Sequence, residues 1–166
     1  MLMQIGIKSG AGPLSGALAI VLSRFSNGWI YLPIAAMCLL FGGRSALGPM
    51  LASGISAGVL HCIYPILMRR VARPRPFVAM ADVRPLLAAM DEHSFPSGHT
   101  MTLTAVLLPI VLAFPPLVGV AVLTWFAVAW ARVASAHHYP SDVLAGTVMG
   151  AAVGYPFGIW AATWIA

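Results

Sequence analysis

The sequence contains very few charged residues for its length. Nine Lys and Arg and four acidic residues make up 8% of the 166 residues, whereas 60% of the residues are hydrophobic. A soluble domain of this size needs more polar surface than these residues can provide. The composition therefore excludes an ordinary soluble domain and predicts an integral membrane protein.

Cysteine is also scarce, and this limits the possible disulfide bonds and metal sites. Cys38 and Cys62 both lie within apolar segments, where a free cysteine behaves as a small hydrophobic residue. Their spacing indicates neither a disulfide framework nor a metal site. The excess of basic residues, which gives a formal charge of +5, is clustered. Such clusters are typical of membrane-flanking loops or of a site for an anionic ligand, and we expect no nucleic-acid surface.

Long apolar segments separated by turn signals fill most of the chain. A membrane-spanning helix needs about 20 largely apolar residues. The pattern predicts an all-α integral membrane bundle of about six transmembrane helices, with residues 1–166 as a single domain and with the first segment retained rather than cleaved as a signal peptide. The segments lie at roughly 7–23, 28–42, 45–68, 98–114, 116–136 and 141–164.

Six spans place the connections after the first, third and fifth helices on one side of the membrane. The long loop at 69–97 and the turn at 136–142 then lie at the same face. This geometry brings together the polar stretches of the chain, and it makes that face the expected active face.

The first polar stretch is "RRVARPRPF" at 69–77. Its arginines could form a simple membrane flank. However, Pro74 and Pro76 restrict the backbone on either side of Arg75. A stiff backbone can aim a guanidinium, whose planar set of donors matches phosphate oxygens.

The second stretch is "PSGHT" at 96–100. One interpretation is a plain helix start capped by Ser97, with His99 as a polar residue near the interface. The other is an anion site, because the N–H groups at a helix N-terminus bind anions. In that case Gly98 allows close approach to the backbone, and His99 supplies a titratable proton.

The third stretch is "ARVASAHHYPSDVLAG" at 131–146. Arg132 lies near the end of an apolar helix, where an ionisable residue is costly and is therefore a functional candidate. His138 and Asp142 are four residues apart across a proline-containing turn. This spacing could let the carboxylate bind one ring nitrogen and leave the other free. Alternatively, Asp142 is only a first-turn residue favoured by the helix dipole.

Glycines recur every four residues in the last segment. The spacing of Gly146, Gly150, Gly154 and Gly158 puts all four on one helical face and predicts a groove for close helix packing. Gly54 and Gly58 repeat the pattern on a smaller scale.

The motifs "RPRP", "PSGH" and "R-x5-H-x3-D" resemble, in order, the three signature motifs of the type 2 phosphatidic acid phosphatases, also called lipid phosphate phosphatases. The resemblance implies that His138 is a nucleophile that becomes a phosphohistidine and that Asp142 orients its ring. It implies that His99 protonates the leaving oxygen and then activates water. It also assigns phosphate binding to Arg75, Arg132, Ser97 and the backbone at Gly98.

Two positions depart from the family pattern. Met68 stands where the family has a lysine, and Ala131 stands where the third motif usually has a serine. Arg69 and Arg73 are the candidates to supply the missing positive charge; the alternative is a phosphate held with one contact fewer.

The resulting prediction is a multi-pass lipid phosphatase of a bacterial inner (cell) membrane, acting on a lipid phosphomonoester or diphosphate within the bilayer. The resemblance makes undecaprenyl diphosphate and phosphatidylglycerophosphate plausible substrates, and it does not separate them.

We expect no cofactor and no metal ion, because a two-metal centre needs more ligands than the four acidic residues provide. The alternatives are a lipid-linked phosphotransferase using the same intermediate and a noncatalytic lipid-anion binder or transporter. The positive-inside rule and the family resemblance point to opposite sides of the membrane for the active face. The four acidic residues are Asp82, Asp91, Glu92 and Asp142.

Overall fold

The computed structural model describes residues 13–163. These residues contain no β-strand, and six helices of 12 residues or more account for most of them, which confirms the predicted all-α class. The helices are α1 (Pro13–Phe25), α2 (Tyr31–Gly42), α3 (Leu47–Val71), the one-turn α4 (Pro76–Ala79), α5 (Gly98–Ala113), α6 (Val118–Ala134) and α7 (Pro140–Ala162).

The helix boundaries agree closely with the predicted segments, and the apolar residues are distributed as a membrane bundle requires. Three stretches are long and apolar enough to cross a membrane, namely Tyr31–Val71, Pro115–Ala134 and Pro140–Ala162. Large apolar side chains such as Leu40 and Leu123 are exposed on the outside of the bundle. Residues 7–12 of the predicted first span at 7–23, the last residue of the span at 141–164 and both ends of the domain at 1–166 lie outside the described residues, and the rest of the first span lies in α1.

The end of α3 is set by local backbone chemistry. Ala72 adopts a left-handed conformation (φ 47°), and its N–H donates to the carbonyl of Met68. Pro74 and Pro76 then prevent the helix from continuing, since proline lacks the N–H that a helix interior needs. Arg75 is held extended between them, as the residue that precedes α4.

The centre of the bundle is α5, which packs most extensively against α7 and then against α3. The predicted glycine face of α7 is the surface that contacts it. A Cβ on Gly154 would come within 2.9 Å of the Ala105 carbonyl oxygen, and one on Gly150 would overlap the carbonyl oxygen of Met101. Small residues at such positions let two helix backbones approach closely. This contact brings the N-termini of α5 and α7 to the same end of the bundle, and there the N–H of Ser97 donates to the carbonyl of Asp142 (3.0 Å).

The second glycine pattern has a different role from the one expected. A Cβ on Gly54 or on Gly58 would meet nothing within 4 Å, so neither residue provides a close helix contact. The spacing was the same as in α7, but the face that carries it in α3 does not press against a neighbouring backbone.

These two glycine sites give a matched pair of stability predictions. Gly150→Ala should destabilise the protein by about 1–3 kcal/mol, because a backbone carbonyl blocks the added methyl group. Gly54→Ala should be neutral or should stabilise α3 by up to about 1 kcal/mol, because alanine is the better helix former and has room. Thermal unfolding of the purified protein in detergent measures both. Equal loss of stability in the two variants would contradict this packing.

Candidate active site

The three predicted polar stretches meet at one end of the bundle, and the turn between α1 and α2 joins them. Together they enclose a small cavity, here called the catalytic cavity. The sequence motifs contribute Arg75, His99, Arg132 and His138. The remaining lining residues are Asn27, Leu87, Ala88, Met90, Asp91 and His137.

The ring of His138 is oriented by a backbone carbonyl. Its Nδ1 lies 2.7 Å from the carbonyl oxygen of Ser94. Because a carbonyl oxygen can only accept a hydrogen bond, Nδ1 carries the proton and Nε2 has a free lone pair. Burial and the nearby charge of Arg75 lower the pKa of His138 well below 6.5, so the ring is neutral near neutral pH. A neutral, buried imidazole with a free Nε2 is suited to act as a nucleophile.

Asp142 is close to this ring but does not form the expected hydrogen bond with it. One carboxylate oxygen lies 4.0 Å from Nδ1 of His138, and that same oxygen accepts the backbone N–H of Tyr139 (2.9 Å). The expectation that Asp142 directly holds the ring is therefore corrected, because the Ser94 carbonyl occupies the donor position. Asp142 holds the start of α7 in place and puts a negative charge near the ring.

Arg73 is the partner of Asp142. Its NH1 lies 2.7 Å from the other carboxylate oxygen and 2.8 Å from the hydroxyl of Ser141, and its guanidinium lies 3.9 Å above the Tyr139 ring centre. Arg69 is exposed in the last turn of α3. Neither arginine lines the catalytic cavity, and their role in place of the lysine that the family has at Met68 stays a prediction.

Arg75 is buried and fixed by backbone acceptors. Its Nε donates to the carbonyl of Asp91 and its NH1 to the carbonyl of His137, both at 2.8 Å. Burial lowers the pKa of Arg75 below its usual value. These contacts leave further N–H groups of the guanidinium for a ligand in the cavity.

Arg132 is buried and lacks partners for most of its donors. Its Nε and NH2 have no hydrogen-bond partner among the described residues, and its NH1 lies 3.4 Å from Nε2 of His99. An unpaired buried guanidinium is costly, and an anion is the group that would satisfy it. Ser97 is also fully buried with an unpaired hydroxyl, although it does not line the catalytic cavity.

His99 contacts a residue that the sequence did not single out. Its Nε2 lies 2.8 Å from Oδ1 of Asn27, in the turn between α1 and α2. An amide oxygen only accepts, so with the Asn27 amide in this orientation Nε2 of His99 carries a proton, and NH1 of Arg132, 3.4 Å from the same nitrogen, does not donate to it. The only sequence signal for Asn27 was its position in a turn sequence, "SNG", and that turn chemistry gave no hint of the contact with α5.

His137 and His138 are distinguished by their hydrogen bonds. Nε2 of His137 lies 2.9 Å from the carbonyl oxygen of Leu87, and its ring meets Phe77 edge-on. Burial lowers the pKa of His137 as well. This hydrogen bond links His137 to the segment at 80–91, which contributes to the cavity lining. Nε2 of His138 makes no such contact with the described residues. The left-handed Ala136 (φ 60°) makes the sharp turn that separates the two rings from α6.

A larger cavity adjoins the catalytic cavity, and a second one adjoins the first. The first, here called the vestibule, has a volume of about 340 Å³ and shares Asn27, Met90, Asp91 and His99 with the catalytic cavity. The second is an apolar groove of about 450 Å³ between α2, α3 and α5. Both the vestibule and the groove are bordered by Tyr31, His61 and Thr102.

The fold and the site define a helical membrane protein with an arginine and histidine site for an anion at one end of its bundle. The sequence profile of the PAP2 superfamily matches residues 46–165. The chain belongs to the PAP2 superfamily, which confirms the family predicted from the three motifs.

Curated relatives match over most of the chain. A decaprenylphosphoryl-5-phosphoribose phosphatase of Mycobacterium tuberculosis is 30% identical over 92% of this chain and 85% of its own length. An undecaprenyl-diphosphatase of Sulfolobus acidocaldarius is 25% identical over 83% of this chain, and the undecaprenyl-diphosphatase BcrC of Bacillus subtilis is 33% identical over 76%. The chain spans 66% and 65% of the lengths of these two diphosphatases.

Solved structures share the fold. LpxE of Aquifex aeolicus superimposes with a TM-score of 0.72 at 22% identity, covering 98% of this chain and 93% of that protein. A PAP2-type phosphatidylglycerolphosphate phosphatase of Bacillus subtilis gives a TM-score of 0.70 at 21% identity, covering 95% of this chain and 81% of the other. The predicted membrane-bundle architecture is therefore that of known membrane phosphatases.

The ring state of His138 gives a prediction about pH. Because its pKa is lowered, the ring should remain neutral, with the proton on Nδ1, at pH values below 6.5, where a free imidazole becomes cationic. Nitrogen NMR of the histidine-labelled protein in detergent measures this, with His138→Ala to assign the signal. A ring that gains its second proton near pH 6.5 would contradict the prediction.

Arg73 and Arg69 form a matched pair for mutation. Arg73→Gln should lower kcat by roughly 10- to 100-fold, because it removes a charged hydrogen bond from the buried Asp142, close to the turn that carries His138. Arg69→Gln removes the same charge from an exposed position and should have little effect. Steady-state rates of both variants, with thermal stability as a control for folding, test this role. Equal losses of kcat would show that Arg73 contributes only general positive charge.

Proposed function

We propose that this protein is a metal-independent membrane lipid phosphatase that hydrolyses a lipid phosphomonoester or diphosphate through a phosphohistidine intermediate. The observation that carries the proposal is the buried, unpaired guanidinium of Arg132 beside the free Nε2 of His138 and the proton-bearing Nε2 of His99. An anion-binding group, a nucleophile and an acid thus border one cavity. The names of the curated relatives support a phosphate of a membrane lipid as the substrate.

In the first step the phosphate oxygens accept hydrogen bonds from Arg132 and from the remaining donors of Arg75. Nε2 of His138 attacks phosphorus and forms the N–P bond while the bond from phosphorus to the departing oxygen breaks. The imidazolium form of His99, with protons on both ring nitrogens, gives its Nε2 proton to that oxygen and becomes a neutral imidazole. The His138 ring becomes positively charged, and the Ser94 carbonyl together with the nearby carboxylate of Asp142 stabilises it.

In the second step His99 accepts a proton from water, and the water oxygen attacks phosphorus. The N–P bond breaks, its electrons return to Nε2 of His138, and inorganic phosphate leaves. Both histidines have then recovered their starting protonation states, so the cycle is balanced. If a hydroxyl group replaced water as the acceptor, the same intermediate would pass its phosphate to that group, and the protein would be a phosphotransferase.

The same geometry supports a location in a membrane. The helical bundle spans the bilayer several times, and the catalytic cavity lies at one end of it, where a lipid headgroup meets water. We place the protein in a bacterial cell membrane, with the lipid tail remaining among the apolar surfaces of the helices. Both a polyprenyl diphosphate and a glycerophospholipid phosphate satisfy this arrangement.

A phosphate-release assay tests the activity. The purified protein in detergent should release inorganic phosphate from lipid phosphates in the presence of a metal chelator, since the proposed chemistry uses only side chains. His138→Ala should reduce the rate by several orders of magnitude, on the scale known for loss of a catalytic nucleophile, about 10⁶-fold. His93→Ala, a loop histidine outside the catalytic cavity, is the matched control.

Each alternative gives a different outcome in this assay. Full activity in His138→Ala, or complete loss of activity on chelation, would overturn the mechanism. Phosphate that appears on an added hydroxyl acceptor instead of in solution would identify a transferase. Binding of lipid phosphate without turnover would identify a noncatalytic lipid-anion binder.

A further inference from the structure

The vestibule lies on the side from which the departing group must leave. In an in-line displacement the departing oxygen lies opposite the attacking atom, and here the acid that protonates it is His99. His99 borders both the catalytic cavity and the vestibule. The part of the lipid attached to the departing oxygen therefore occupies the vestibule during the reaction.

The vestibule lacks the basic side chains that line the catalytic cavity. Arg75 and Arg132 line the catalytic cavity, whereas neither Lys nor Arg is among the described residues that line the vestibule. Asp91 lines the vestibule, and its carboxylate accepts the hydroxyl hydrogen of Tyr64 at 2.9 Å. The same carboxylate lies 4.0 Å from NH2 of Arg75, and a second phosphate placed in the vestibule would face it with no further cation among the described lining residues.

The uncharged groups of the vestibule match hydroxyls better than phosphate oxygens. Nδ1 of His61 lies 3.0 Å from the carbonyl oxygen of Ala57, so Nδ1 carries the proton and Nε2 is an acceptor. The Tyr31 hydroxyl has no hydrogen-bond partner within residues 13–163, and Tyr31 also lines the vestibule. A sugar or glycerol hydroxyl can donate to Asp91 and to His61 and can accept from Tyr31. A fully ionised phosphate offers acceptors only.

We propose that the substrate is a lipid phosphomonoester whose departing oxygen belongs to an uncharged, hydroxyl-bearing group, and that the enzyme selects it over a lipid diphosphate. This inference rests on the proposed phosphatase activity. The order of the three spaces agrees with it, because the phosphate site is followed by the polar vestibule and then by the apolar groove. Asp91 sets the preference by repelling a second phosphate.

Asp91 also has a positioning contact that its substitution must preserve. The carbonyl oxygen of Asp91 accepts a hydrogen bond from Arg75, and its carboxylate accepts one from Tyr64. Asp91→Asn keeps the backbone carbonyl and an oxygen for Tyr64, and it removes the negative charge. Glu92→Gln removes the same charge from the adjacent, exposed residue, which lines neither the vestibule nor the catalytic cavity.

The experiment compares two lipids that carry the same prenyl chain. One bears a sugar with a terminal phosphomonoester, and the other bears a diphosphate. Phosphate release in detergent gives kcat/KM for each lipid with the wild type, Asp91→Asn and Glu92→Gln. We expect the wild type to favour the phosphosugar lipid by about tenfold, since the repulsion of one like charge at a partly exposed site is sufficient for that factor.

The variants separate a charge effect from a structural one. Asp91→Asn should raise kcat/KM for the diphosphate by about tenfold and should not raise it for the phosphosugar lipid. Glu92→Gln should leave the ratio of the two values unchanged. A wild-type preference for the diphosphate, or an equal change for both lipids in Asp91→Asn, would overturn the inference while leaving the phosphatase activity intact. The absence of His138-dependent release from both lipids would instead refute the proposed function and with it the inference.

Discussion

The backbone contact between α5 and α7 is the constraint on which the site depends. Gly146, Gly150, Gly154 and Gly158 remove the side chains that would hold these helices apart, and the two helix starts then meet at one end of the bundle. His99 lies at one of these starts, and Asp142 lies at the other. Since helix N-termini carry exposed N–H groups and partial positive charge, their convergence favours an anion at this end even before the arginines are counted.

Backbone carbonyls perform much of the orientation that carboxylates perform in other sites. Arg75 donates to two carbonyl oxygens, His137 is bound to a third and His138 to a fourth. These acceptors belong mainly to the irregular segment at 72–97, whose own carbonyls would otherwise need water or a helix to satisfy them. A site built in this way can work with very few acidic residues, which is how a chain with four of them keeps one buried arginine and two histidines in place.

The helices and the site residues could be predicted from the sequence to different extents. Long apolar segments and turn residues located the helices to within a few residues, because both signals are local. The positions of the motifs relative to the helices also predicted that Arg75, His99, Arg132 and His138 lie close together. The partner of Asp142, the acceptor for His138 and the contact of Asn27 with His99 could not be predicted, because they arise from how distant segments pack, and a backbone carbonyl has no identity in the sequence. Gly54 shows the same limit, since an identical spacing gave close packing in α7 and open space in α3.

The unpaired donors of Arg132 link the stability of the fold to its ligand. Burying this guanidinium without acceptors raises the free energy of the folded chain, and any anion that pairs with it recovers part of that cost. Inorganic phosphate, the product of the proposed reaction, has the same oxygens as the reacting group and should bind at the same donors. The proposed reaction would thus yield a product that stabilises the folded protein. Thermal stability and inhibition by phosphate should therefore both increase as the phosphate concentration increases.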